Sequence, residues 1–195
     1  MNGGVAGDDL DGGPWQRRLA TGGAGGFDAL YEQYRLQIYR TVRGIVLDGP
    51  AAEDLTQETF ERAFKARASQ RAEGSSGAWL HRIAVNAAIS YLRRQKLARL
   101  LPVRLFVGES TSDFDRAEER SLAHRALASL SPKLRAVVVL HYYQGMTRDE
   151  IARTLGIPPG TVASRLGAAL ESMRRALAET DQEWASGRLS RGRTW

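Results

Sequence analysis

Asp54 and Glu58 stand one helical turn apart and are the residues whose spacing comes nearest to an acid–base pair. Such a pair needs a third group to set its protonation, and no histidine, cysteine or glycine-rich phosphate loop lies near it in sequence. Carboxylates at this spacing read as a solvent-facing acidic edge, so no catalytic residue and no enzyme are expected. The three histidines, His81, His124 and His141, are far apart and fit no metal-ligand spacing. Each is expected at a surface or helix flank, with no metal and no cofactor. The absence of cysteine removes disulfides and thiolate sites. A second kind of chemistry, recognition, is concentrated near the C-terminus. Gly160, Thr161, Ser164 and Arg165 would present small and polar groups at a helix N-terminus, where backbone N–H groups can meet phosphates.

The elements that must hold these groups are legible around them. Thr147 and Glu150 form the pattern of a capping box, and Ile151, Ala152 and Leu155 give the short helix one apolar face. Gly156 suits the left-handed end of that helix, and Pro158-Pro159 opens the next. There Val162, Leu166, Ala169 and Leu170 face inward. Two short helices across a tight turn make a helix-turn-helix, with Arg148 at the entry of the first and small Ala152 where the helices cross.

The chain has 195 residues, 43% of them hydrophobic, and a net charge of +6 that favours a polyanionic partner. No apolar run approaches a membrane span. Residues 1–26 hold nine glycines without the apolar core of a signal peptide, and read as a flexible arm of a cytoplasmic protein. A helix is expected from Phe27, carrying Phe27, Leu30, Tyr31, Tyr34, Ile38, Val42 and Ile45, and broken by Gly49-Pro50. A second, about 51–68, turns Leu55, Thr59, Phe60, Ala63 and Phe64 inward; a third, about 78–97, offers Trp79, Leu80, Ile83, Ala87 and Leu92. Residues 98–114 read as a linker. Helices over about 115–130 and from Ser131-Pro132 to Gly145 then support the helix-turn-helix, the latter with Leu134, Val137, Val138 and His141 inward. Thr180 to Trp195 reads as a loose tail. The fold class is all-α: two small helical domains, 27–97 and 115–179, joined by a flexible linker.

Charge is sorted within the first domain. Residues 48–61 carry Asp48, Glu53, Asp54, Glu58 and Glu61 and no basic residue, whereas residues 62–104 carry ten Lys or Arg against Glu73. Solubility is served by mixing signs. One sign per helix points instead to two partners, a basic one for the second helix and a nucleic acid for the third.

Three runs in order, AAEDLTQETFERAF (51–64), GAWLHRIAVNAAISYLRR (77–94) and LSPKLRAVVVLHYYQGMTRDEIARTLGIPPGTVASRL (130–166), make the chain resemble an extracytoplasmic-function (ECF) sigma factor of the sigma-70 family over about Phe27 to Leu177. The resemblance implies that residues 27–97 are region 2 and residues 115–179 region 4. It implies docking on the β′ subunit of core RNA polymerase through Asp54, Gln57, Glu58 and Glu61, within a complex that also involves β. It implies capture of the melted promoter strand by Trp79, Arg82, Asn86, Arg93, Arg94 and the loop 69–76, with Trp79 readable as core anchor or as wedge. The helix-turn-helix would read the upstream promoter element, and an anti-sigma factor is an expected partner. The chain departs from the family at Ala163, at Gly167-Ala168-Ala169 and at Ser90, where basic, polar and acidic residues are frequent, leaving open a weaker or different upstream contact. The competing reading is a stand-alone helix-turn-helix regulator, which leaves the acidic and basic helices of the first domain unexplained.

Overall fold

The computed structural model describes residues 24–67, 75–100 and 122–191, with side chains over 26–67, 75–100 and 122–178. Residues 69–74 of the expected loop 69–76, most of the linker and most of the N-terminal arm lie outside the described residues, while Ser76, expected in that loop, begins the next helix. Among those described, seven α-helices follow one another and no strand occurs.

The first half is α1 (Ala24–Val46), α2 (Gly49–Ala66) and α3 (Ser76–Leu100), each packed on the other two. Leu30, Ile38, Val42 and Ile45 recur at helical spacing on α1 and are buried, as are Leu55, Phe60 and Ala63 on α2 and Leu80, Ala84, Val85, Ala87 and Ala88 on α3. Each large aliphatic side chain removed from water contributes roughly 1.5–3 kcal/mol, which outweighs modest helix propensity. The chain breaks at Leu47, whose φ of 61° is left-handed, and at Asp48, whose carboxylate accepts from the Ala51 N–H at 2.8 Å. Gly49 and Pro50, expected as the break itself, are instead the first residues of α2, where proline's missing N–H is harmless. α1 begins at Ala24, three residues before the expected Phe27. Phe64, expected inward, is 42% exposed at the end of α2, where it packs edge-on against Phe27 and under the Arg67 guanidinium.

The second half is α4 (Leu122–Ala128), α5 (Pro132–Val138), α6 (Arg148–Leu155) and α7 (Pro159–Arg191). The part of the expected 115–130 helix before Leu122 lies outside the described residues. Ser131 precedes α5 in extended conformation, but its hydroxyl makes no capping bond. α5 ends at Val138 and continues as a π-helical turn, Val139–Tyr143, short of the expected Gly145. One inner face was expected here. Residues 135–140 are all buried instead, because α5 is covered by α7 on one side and by α1 and α3 on the other. One continuous core therefore runs through both halves. The expected loose tail is helical through Arg191; no proline interrupts residues 160–191, and the good helix formers Ala, Glu, Gln, Leu and Arg make up most of 176–191, outweighing Thr180, Asp181, Ser186, Gly187 and Ser190.

Candidate functional site

The acidic face is built on α2. Asp54, Gln57, Glu58 and Glu61 stand at i, i+3, i+4 and i+7, on the side opposite the buried Leu55, Thr59 and Ala63. Asp54, Gln57 and Glu61 are exposed and Glu58 is half-buried. The Gln57 amide donates to Glu61 at 3.1 Å, and Arg62 bridges to Glu58. Beside this face opens a cleft of about 900 Å³ whose aromatic lining, Phe27, Tyr31, Phe60 and Phe64, is flanked by Glu53 and Glu61 and also by Arg35 and Lys65. The acidic edge of α2 thus borders an aromatic trough of mixed charge, and the two together suit an amphipathic helix of a partner that brings basic groups to the α2 edge.

The basic track is built on α3. Arg82, Asn86, Arg93 and Arg94 are all exposed. The first three fall within about 40° of one another around the helix, a stripe roughly 16 Å long. Trp79 is half-buried and packs against the core. Behind the stripe lies His81, which was expected at the surface and is 2% exposed. Its Nδ1 lies 3.2 Å from the Thr41 hydroxyl, which itself donates to the Gln37 carbonyl. Nδ1–H therefore donates to Thr41, and burial lowers the imidazole pKa to about 4. The apolar neighbours Leu80, Ala84 and Val85 signalled this position; a lone histidine gave no chemical signal of its own.

The helix-turn-helix is α6, its turn and the start of α7. Thr147 accepts from the Glu150 N–H at 3.3 Å, and Glu150 accepts from the Thr147 N–H at 2.7 Å. That backbone N–H, together with the Thr147 hydroxyl donating to the same carboxylate oxygen at 2.8 Å, holds the Glu150 carboxyl below its ordinary range. Gly156 ends α6 at φ 64°, and the Ile157 N–H donates back to the Ala152 carbonyl at 3.0 Å. Val162, Leu166 and Ala169 are buried. Arg148, Gly160 and Ser164 are exposed, while Thr161 and Arg165 are half-buried. The Ser164 hydroxyl donates to the Thr161 carbonyl at 3.0 Å, so in this conformation it is turned along the helix.

Arg135 escaped sequence reasoning. It is 7% exposed, and among the described residues all its hydrogen bonds go to backbone carbonyls. Its one signal was an arginine heading the apolar run Ala136 to Leu140. Burial lowers its pKa, but an arginine starts high enough to stay charged.

Family comparison separates the same two halves. A model of sigma-70 region 2 matches residues 30–98, and a model of sigma-70 region 4 matches residues 120–173. The ECF RNA polymerase sigma factor SigE of Mycolicibacterium smegmatis is 34% identical over 175 residues, covering 82% of this chain and 64% of that protein, just under two thirds of its length. SigL of Mycobacterium tuberculosis is 34% identical over 156 residues, covering 77% of this chain and 88% of the relative. Among solved structures, CnrH in complex with the cytosolic domain of CnrY superimposes with a TM-score of 0.66 at 23% identity, over 85% of this chain and 96% of that one. The sigma factor RpoE in complex with the anti-sigma factor NepR from Bartonella quintana gives a TM-score of 0.60 at 21% identity, over 78% and 96%. These two likenesses are of fold.

Proposed function

The chain belongs to the ECF sigma factors of the sigma-70 family, and from that membership we propose how its surfaces divide the work of transcription initiation. Residues 27–97 act as region 2. Asp54, Gln57, Glu58 and Glu61 dock on the β′ subunit of core RNA polymerase in a complex that also engages β, with the aromatic trough receiving apolar side chains. Arg82, Asn86, Arg93 and Arg94 hold the unpaired promoter strand. The physical logic is that a melted strand offers phosphates to cations and exposed base edges to an amide, and a 16 Å stripe of roughly this length spans a few nucleotides. Residues 115–179 act as region 4, with Arg148, Gly160, Thr161, Ser164 and Arg165 facing the upstream promoter element in the major groove. Residues 98–114 tether the two.

The observation that carries this reading is the separation of charge onto two exposed helix faces, acidic on α2 and basic on α3, each backed by a buried apolar face. Bond-forming chemistry belongs to the polymerase, so the chain itself acts without enzymatic activity or cofactor and in the cytoplasm. Among the described residues no helix is long and apolar enough to cross a membrane. An anti-sigma factor is a further partner, by analogy with the RpoE–NepR pair.

Charge reversal tests the docking face. Asp54→Lys with Glu58→Lys should abolish co-purification with core polymerase while leaving the helical circular dichroism unchanged, since neither side chain lies on the buried face of α2. Undiminished co-purification of the double variant sinks the assignment.

A further inference from the structure

The first turn of α3 is seated on α1 with no side chain of its own in between. Gly77 is buried, and a Cβ built on it would lie 2.9 Å from Cε1 of the Tyr34 ring and 3.3 Å from its Cζ and Oη. Carbon atoms rest at about 3.5–4.0 Å, so only a bare backbone fits there. No positive φ calls for glycine at this position, which leaves the close approach of the ring as its reason. Tyr34 is half-buried and packs against the core, so the ring is backed. One turn further along α3, buried His81 lies 3.2 Å from the hydroxyl of Thr41, which shares a face of α1 with Tyr34 at i, i+7. The Ser75 hydroxyl accepts from the Ala78 N–H at 3.2 Å and fixes where the helix starts.

Gly77 and His81 point inward together. Around the helix, Arg82 lies about 140° and Asn86 about 180° from Gly77, on the side away from α1. The depth at which Gly77 meets Tyr34 therefore sets how far those two side chains stand out. We propose that Tyr34 is a positioning residue for strand capture: its ring, bearing on the bare backbone of Gly77, fixes the height at which α3 presents Arg82 and Asn86 to the unpaired promoter strand. The inference rests on the assignment of Arg82 and Asn86 to that strand. Tyr34 stands behind α3 and acts only through it. A methyl group at position 77 would lift the start of α3 by roughly half an ångström to regain ordinary contact. Binding groups tolerate misplacement of about that size and no more.

The contact can be overfilled, emptied and refilled in the full chain assembled with core polymerase. Gly77→Ala adds the Cβ, and alanine is the better helix former, so any loss comes from the ring it meets. Opening, read as permanganate reactivity of thymines in the bubble, should fall roughly tenfold, with co-purification and closed-complex binding kept. Tyr34→Leu removes Cε1, Cζ and Oη and should also depress opening; Tyr34→Phe keeps Cε1 and Cζ and should recover it. Gly77→Ala combined with Tyr34→Leu should open promoters to within about twofold of the parent, because the methyl group takes the place of the ring edge. Two independent structural defects would add instead of cancelling. The proposal is overturned if Gly77→Ala opens promoters as well as the parent, or if the pair opens them no better than the weaker single variant. Should Gly77→Ala fail to fold, Tyr34→Leu against Tyr34→Phe decides, and equal opening by the two overturns it. Arg82→Ala, run beside them, keeps the two ideas apart. If it depresses opening while Gly77→Ala does not, the positioning role alone falls. If it changes nothing, the strand assignment falls and the positioning role with it.

Discussion

His81 sits beside Thr41 in the core of the first half, and removal from water brings its pKa from 6.5 to about 4. The folded protein holds it neutral, whereas the unfolded chain takes up a proton near 6.5. Its contribution to stability is therefore complete above that pH, declines as the pH falls from 6.5 toward 4, and levels off below. The full swing is on the order of 3 kcal/mol. Urea unfolding between pH 7.5 and 4.5 should show this slope, and His81→Gln should flatten it. A slope that survives the substitution places the titrating group elsewhere. Arg82 and Asn86, one and five positions further along α3, are exposed and carry no core packing. Arg82→Ala and Asn86→Ala should thus leave closed promoter complexes nearly intact and depress opening, read as loss of permanganate reactivity at thymines in the bubble. Equal opening by variants and parent contradicts their contact with unpaired bases.

At the scale of elements, the helix-turn-helix combines local self-sufficiency with a sparse reading face. The reciprocal Thr147–Glu150 bonds satisfy N–H groups that α6 would otherwise leave orphaned, so Thr147→Ala should cost about 1 kcal/mol in thermal or urea unfolding. On α7, Ala163 and Gly167 contribute no charge beside Arg165. Arg165→Ala should cost roughly 1–3 kcal/mol of discrimination for the upstream element if the guanidinium reaches a base edge. Ala163→Lys should raise promoter affinity and steepen its salt dependence by about one unit. A salt titration of the assembled polymerase on intact and scrambled upstream elements separates the two effects; no change in either variant removes this helix from DNA reading. The element was readable because its signals are local: a capping box, a left-handed glycine and an i, i+4, i+7 apolar stripe are complete within a few residues. α5 was misread for the opposite reason. Its periodicity suggested one inner face, yet burial on every side depends on α1, some ninety residues earlier in the chain. Arg135 and His81 were missed with it, since both owe their environment to packing at long range.

At the scale of the whole molecule, charge sorting and packing tell compatible stories. The acidic and basic faces were legible as composition along the chain, because each occupies one continuous run. The seam between the halves was not, because it depends on Gly44 meeting Val139 and on Arg135 reaching Ile45 across ninety positions. A linker predicts that two halves can separate but says nothing about how they dock when together. What unites these surfaces is initiation by a polymerase that the chain directs to its promoters. The most direct test is transcription of fragmented genomic DNA by core polymerase with and without the full chain, with 5′ ends mapped. The chain should add a discrete set of new start sites that vanish with Asp54→Lys and Glu58→Lys. A chain that shifts duplex DNA specifically on its own, yet adds no start site to core polymerase, contradicts that role.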